Sequence, residues 1–185
     1  MLGVAILIIV MSVMNGFKTE LTKKILGLNP HIVIQSNGFE IEETYISKLK
    51  RNLKNISLNR SFSGEGIVFS NNNARGVILK GVDKKEKKTK DFFENYVIKE
   101  KFNNFTSNSA LIGTELAFNL DLKEGDTFSI MSSVFVSTPL GALPKQENFI
   151  VAGIFNTGFL EFDQNIIFLN IEDALSIFDK ETNDQ

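Results

Sequence analysis

The chain has 185 residues, of which 43% are hydrophobic and 23% charged, with a net charge of −2. These values are those of a globular protein, one ordinary domain or two small ones sharing a core, and they exclude disorder as the default. The mildly acidic balance gives no support for nucleic-acid binding. The absence of cysteine removes disulfides, thiolate metal sites and a cysteine nucleophile.

The first thirty residues stand apart. An uncharged apolar run, Leu2 to Met14, passes without a break into an amphipathic stretch that stops at Gly27, Asn29 and Pro30. Phe17, Leu21, Ile25 and Leu28 share one helical stripe, while Lys18, Glu20, Lys23 and Lys24 fall mostly elsewhere. One continuous helix would therefore lead the chain out of a bilayer toward a soluble domain. A spanning helix needs about 20 apolar residues, and this run is shorter. Such a length also suits a signal-peptide core or a buried helix, although no basic residue precedes the run and Ser12 is its only polar member. A third reading is that the chain begins partway along a spanning helix.

Further on, 31–36 (HIVIQS) reads as a strand, and Ile46, Leu49 and Leu53 mark a helix from Glu42 to Asn55. Strands are expected at 65–70 and 75–82, joined by a turn at Asn71-Asn72-Asn73. The Lys84–Lys90 cluster (KKEKKTK) reads as the solvated face of a helix over 84–95. Ser109 to Leu120 reads as helical, 121–126 as a turn with Gly125 left-handed, and Thr127 to Ser132 as a strand. A loop, Thr138-Pro139-Leu140-Gly141-Ala142-Leu143-Pro144, precedes a strand at 147–155, a turn at 156–158, a strand at 165–170 and a helix at 171–178. Short strands with intervening helices indicate an α+β fold with mixed or antiparallel sheets.

Catalytic chemistry finds little purchase. His31 is the only histidine, so a multi-histidine metal site is impossible, and its place after Asn29-Pro30 suits a junction residue that packs locally. Glu42-Glu43, Glu161/Asp163 and Glu172-Asp173 have the character of helix N-terminal or turn acids rather than of a catalytic pair. No phosphate-binding glycine loop is present. The chain is expected not to be an enzyme, with no catalytic, metal or cofactor-binding residues. The 138–144 loop is the most site-like feature. Its prolines would stiffen a hairpin tip and leave Leu140 and Leu143 with little core to enter, as a docking surface requires. The alternative is an ordinary long hairpin whose leucines fold back onto the sheet. The 17 phenylalanines read first as core, and could also line an apolar groove for acyl chains.

Three blocks carry a resemblance to a known family. GVAILIIVMSVMNGFKTELTKKILGLNPHIVI resembles the end of the first spanning helix of the LolC/LolE family and its entry into the periplasmic domain. TPLGALP followed by FIVAGIFNTGFLEFDQNIIFLNIEDALSIF is similar to that family's hook loop and the segments behind it. SALIGTELAFNLDLKEGD resembles the helix-turn before the hook strand, which also occurs in wider MacB-like periplasmic domains.

The resemblance implies an α+β, MacB-like periplasmic core domain of two lobes following the end of a transmembrane helix. Residues 1–29 would be the helix end and stalk, 30–83 with 165–185 the α+β lobe, and 84–164 the β-rich lobe carrying a hook loop at 137–146. It implies the permease of an ABC transporter that releases lipoproteins from the inner membrane and passes them to the periplasmic carrier LolA. ATP would be used by a separate ATPase subunit, LolD, so this chain would need no cofactor, and a second permease subunit, LolE-like or identical, would complete the assembly. Matching hook positions are Thr138, Pro139, Leu140, Gly141, Ala142, Leu143 and Pro144, with Lys145 and Gln146 behind them. The chain departs from the family by having Ala142 and Glu147 where basic residues often stand. A different reading is a MacB-like or FtsX-like mechanotransmission module of an envelope ABC complex not dedicated to lipoproteins.

Overall fold

The computed structural model describes residues 2–26, 32–34, 43–53, 58, 60–71, 73–97, 105–139 and 141–180. The chain divides into two units, Met1–Ile34 and Gln35–Gln185. The first unit is helix α1 (Leu2–Leu26), which runs unbroken through Asn15 and Gly16 as the sequence predicts. Residues 3–19 are exposed all around it, including Val4, Ile6 to Met11, Val13, Met14 and Phe17. No helix among the described residues is long and apolar enough to cross a membrane. Ile32 to Ile34 form no strand, and the rest of the expected 31–36 strand, with His31, lies outside the described residues.

Among its described residues the second unit has six strands: β1 (Ser61–Ser70), β2 (Asn73–Val82), β3 (Ser109–Gly113), β4 (Thr127–Thr138), β5 (Gly141–Phe155) and β6 (Ile166–Asn170). They close into a barrel in the order β1-β2-β6-β3-β5-β4. Pairing is mixed: β2/β6 and β3/β5 are parallel and the other pairs antiparallel. Strands from both of the expected lobes thus pair within one barrel. Its helices are α2 (Glu43–Asn52), α3 (Lys87–Tyr96), α4 (Thr114–Leu120), α5 (Leu160–Asn165) and α6 (Ile171–Ile177). The α+β fold class follows from this inventory.

Alternation sets the core. Val68, Leu79, Ile112, Ile130, Phe149, Ile167 and Leu169 form one apolar cluster with Leu116 and Leu120 of α4 and Ala174 and Ile177 of α6. Phe168, between Ile167 and Leu169 on β6, belongs to a second apolar group. It stacks with Phe92 and Phe93 of α3, Phe155 of β5 and Phe162 of α5 at centroid distances of 5.1–6.2 Å. Much of the phenylalanine content is thereby accounted for as core. Phe178 lies against Gly64 and within 5.0 Å of the Phe62 ring, so α6 seats on β1 and β2 through glycine.

The hairpin β1–β2 turns where three asparagines stand, with Asn71 at φ 49°. Gly125 is left-handed at φ 87°, as its turn requires. Ser109 to Gly113 corrects the expected helix. These five residues are all buried and form β3, and the helix starts only at Thr114. A strand buried on both faces shows no alternation, so its apolar run cannot be told from a buried helix by periodicity. The short helix α5 is a further element that the sequence pattern does not announce.

Candidate partner-docking hairpin

The β4–β5 hairpin is longer than expected. Strand geometry continues to Thr138 and resumes at Gly141, so Ala142, Leu143 and Pro144 belong to β5 and not to a loop. This corrects the loop at 138–144; Leu140 lies outside the described residues. Pro139 suits the first central position of a tight turn. Thr138 donates its hydroxyl to the Gly141 carbonyl at 2.7 Å, and Gly141 takes φ 116°, which an L side chain rarely adopts.

The barrel lets go of this hairpin partway along. The last rung joining β4 to β1 is Ser132 with Gly66. Beyond it, among the described residues, β4 and β5 pair only with each other, through Phe135–Pro144, Val136–Leu143, Ser137–Ala142 and Thr138–Gly141. Proline lacks an N–H, so Pro144 fits a strand that has left the sheet. Cross-strand partners share a face, so Phe135 and Pro144 stand on one side and Val136 and Leu143 on the other. Phe135 is 65% exposed, Leu143 48% and Val136 40%. The leucine at 143 does not fold back onto the sheet.

Phe135 and Val136 extend the site beyond the residues singled out from the sequence. The signal was present: Val134-Phe135-Val136 is an apolar run directly before the proline-bounded tip. Lys145, in contrast, is turned away from the tip. Its Nζ donates to the Ser176 carbonyl in α6 at 2.6 Å and lies 3.8 Å from Glu147 and 3.7 Å from Asp179. Gln146 is exposed and pairs with Met131 at the hairpin base.

Two of the acids noted in the sequence, Asp163 and Asp173, accept hydrogen bonds from backbone N–H groups. Asp163 accepts the Thr157 hydroxyl at 2.7 Å and the Thr157 N–H at 3.1 Å, and both residues are buried. Asp173, in the first turn of α6, accepts the Asn108 N–H at 2.8 Å. Burial pushes its carboxyl above the usual carboxylate range, against the lowering effect of that hydrogen bond; Glu147 and Glu172 add to the rise. Lys80 is lowered from its ordinary value by burial. Its Nζ sits 5.8 Å from the centre of the Phe162 ring. Among the described residues no group of three or more His, Asp or Glu side chains is placed to hold a metal ion.

A closed mixed barrel with a two-stranded apolar ribbon reaching out of it defines an α+β domain. The chain belongs to the family of the MacB-like periplasmic core domain, which matches residues 1–184. Within known proteins it is similar to the lipoprotein-releasing system transmembrane protein LolC of Neisseria meningitidis serogroup B, at 27% identity over 97% of this chain and 45% of that protein. LolC of Buchnera aphidicola subsp. Schizaphis graminum is also 27% identical, over 98% of this chain and 46% of its own length. The lipoprotein-releasing system transmembrane protein LolE of Haemophilus influenzae is 32% identical over 83% of this chain and 38% of its own length. The LolC/LolE resemblance read from the motifs is borne out. The chain spans less than half the length of these curated relatives.

Proposed function

We propose that this chain is the periplasmic domain of an ABC transporter permease that releases lipoproteins from the inner membrane and hands them to the soluble carrier LolA. The observation that carries the reading is the ribbon itself: Phe135, Val136 and Leu143 are exposed on the outer part of a hairpin that, among the described residues, pairs there with no other strand. Apolar side chains held out on a stiffened tip lose little entropy on binding and find in a partner the burial that they lack here. The similarity to relatives named as lipoprotein-releasing transmembrane proteins supports the choice of partner.

In this reading α1, apolar on every side from residue 3 to Met14, lies in the membrane and the barrel unit in the periplasm. The ATPase subunit LolD and a second permease subunit, LolE-like or identical, complete the assembly. Nucleotide is handled by LolD, and this chain acts as a non-enzymatic transmitter and docking platform. The test is a titration of purified carrier into the full chain. Phe135→Ser with Leu143→Ser is expected to weaken binding at least tenfold while the melting midpoint stays in place. Undiminished binding would refute docking through this ribbon, and would favour a MacB-like module that engages its partners elsewhere.

A further inference from the structure

We propose that Lys145 is a positioning residue that latches the ribbon to helix α6 and so fixes the angle at which the hairpin leaves the barrel. The ribbon needs such a device. Between the rungs Met131–Gln146 and Phe135–Pro144, β4 has Ser132, Ser133 and Val134 where β5 has only Lys145. A bulge of this kind bends a strand pair and interrupts its ladder, and an isolated two-stranded ribbon is marginal in stiffness. The bulge falls where β4 parts from β1. All the freedom of the ribbon is therefore concentrated at the position of Lys145.

The surroundings of Lys145 answer that need. Its ammonium donates to the Ser176 carbonyl near the C-terminal end of α6, where the helix dipole favours a cation. Glu147 on β5 and Asp179 beyond α6 flank it, and the Ser176 hydroxyl donates to Glu147 at 3.2 Å. On the other side of the bulge, the Ser132 hydroxyl donates to the Lys145 carbonyl at 3.5 Å and accepts the Val134 N–H at 3.3 Å. Helix α6 is a firm anchor, because Ala174, Ile177 and Phe178 are set in the barrel core. Each half-exposed ion pair is worth little alone, whereas the four groups together hold one geometry. Lys145 thus acts on a partner through the ribbon and not by touching it. This extends the docking reading of the hairpin, but the latch is a property of the chain alone.

The cysteine-free sequence allows a direct test on the full chain in detergent. Nitroxides placed through Ser137→Cys on the ribbon and Arg75→Cys on β2 report the ribbon–barrel distance by electron double resonance, with no carrier present. A single narrow peak is expected with Lys145 in place, its loss to a broad or shifted distribution in Lys145→Ala, and its return in Lys145→Arg. An unchanged narrow peak in folded Lys145→Ala would overturn the latch. Should that variant not fold, Glu147→Gln is read in the same way, with broadening expected and an unchanged peak overturning the proposal. Since no carrier takes part, a failed latch and a failed docking reading are separate results.

Discussion

At Asp163 the carboxylate takes up the Thr157 N–H and hydroxyl in an almost solvent-free site, just after β5 ends. Removing it leaves two buried donors without an acceptor, which costs roughly 1–3 kcal/mol for each such group. Asp163→Ala is therefore expected to lower the unfolding free energy by about 3 kcal/mol in urea titration, and Thr157→Val by less. The backbone at the same residue explains Gly113. A Cβ there would run into the Asp163 carbonyl, a contact that backbone cannot relieve by a rotamer change. Gly113→Ala is expected to cost about 3 kcal/mol or more, although its φ of −72° suits any residue. Asp173 supplies a pH signature. Its folded-state carboxyl holds a proton more tightly than the unfolded chain does. Stability from this residue is thus present at low pH and declines as pH rises through and above the ordinary carboxylate range. Asp173→Asn should remove that decline, so urea midpoints of the two proteins diverge with rising pH; parallel profiles would contradict the assignment.

Among the elements, those with a strong period or a turn chemistry were legible before the structure. The unbroken α1, the β1–β2 hairpin at its asparagines and the left-handed Gly125 all follow from local rules. The β3 strand did not, because burial on both faces erases the two-residue period that marks a strand. Hairpin length departs from the sequence expectation for a different reason. Proline and glycine at 139, 141 and 144 signal turn, yet Pro144 is tolerated in a strand whose neighbour on one side has gone. The tip residues are legible as a candidate site; Phe135 and Val136 are legible only as an apolar run, since it is the register that brings them level with Leu143 and Pro144. Because these side chains are already exposed, Phe135→Ser should shift the folding free energy by no more than about 0.5 kcal/mol. A thermal melt checks this, and a larger loss would mean that the ribbon packs onto the domain.

On the scale of the molecule, an apolar ribbon departs from the closed barrel, and helix α6 links that departure point to the core. The family and the α+β class were within reach of the motifs in the sequence. The closure of six strands into one barrel was not, because it rests on pairings between segments far apart in the chain, such as β2 with β6 and β1 with β4. The central claim is that the ribbon is the surface a lipoprotein carrier meets. Site-specific photo-crosslinking tests it most directly, with a benzoylphenylalanine at position 143 in the full chain and a control at the barrel position Ile67. The account predicts a covalent adduct with LolA from position 143 and none from position 67. No adduct from position 143 in the folded protein, or equal adducts from both positions, would contradict it.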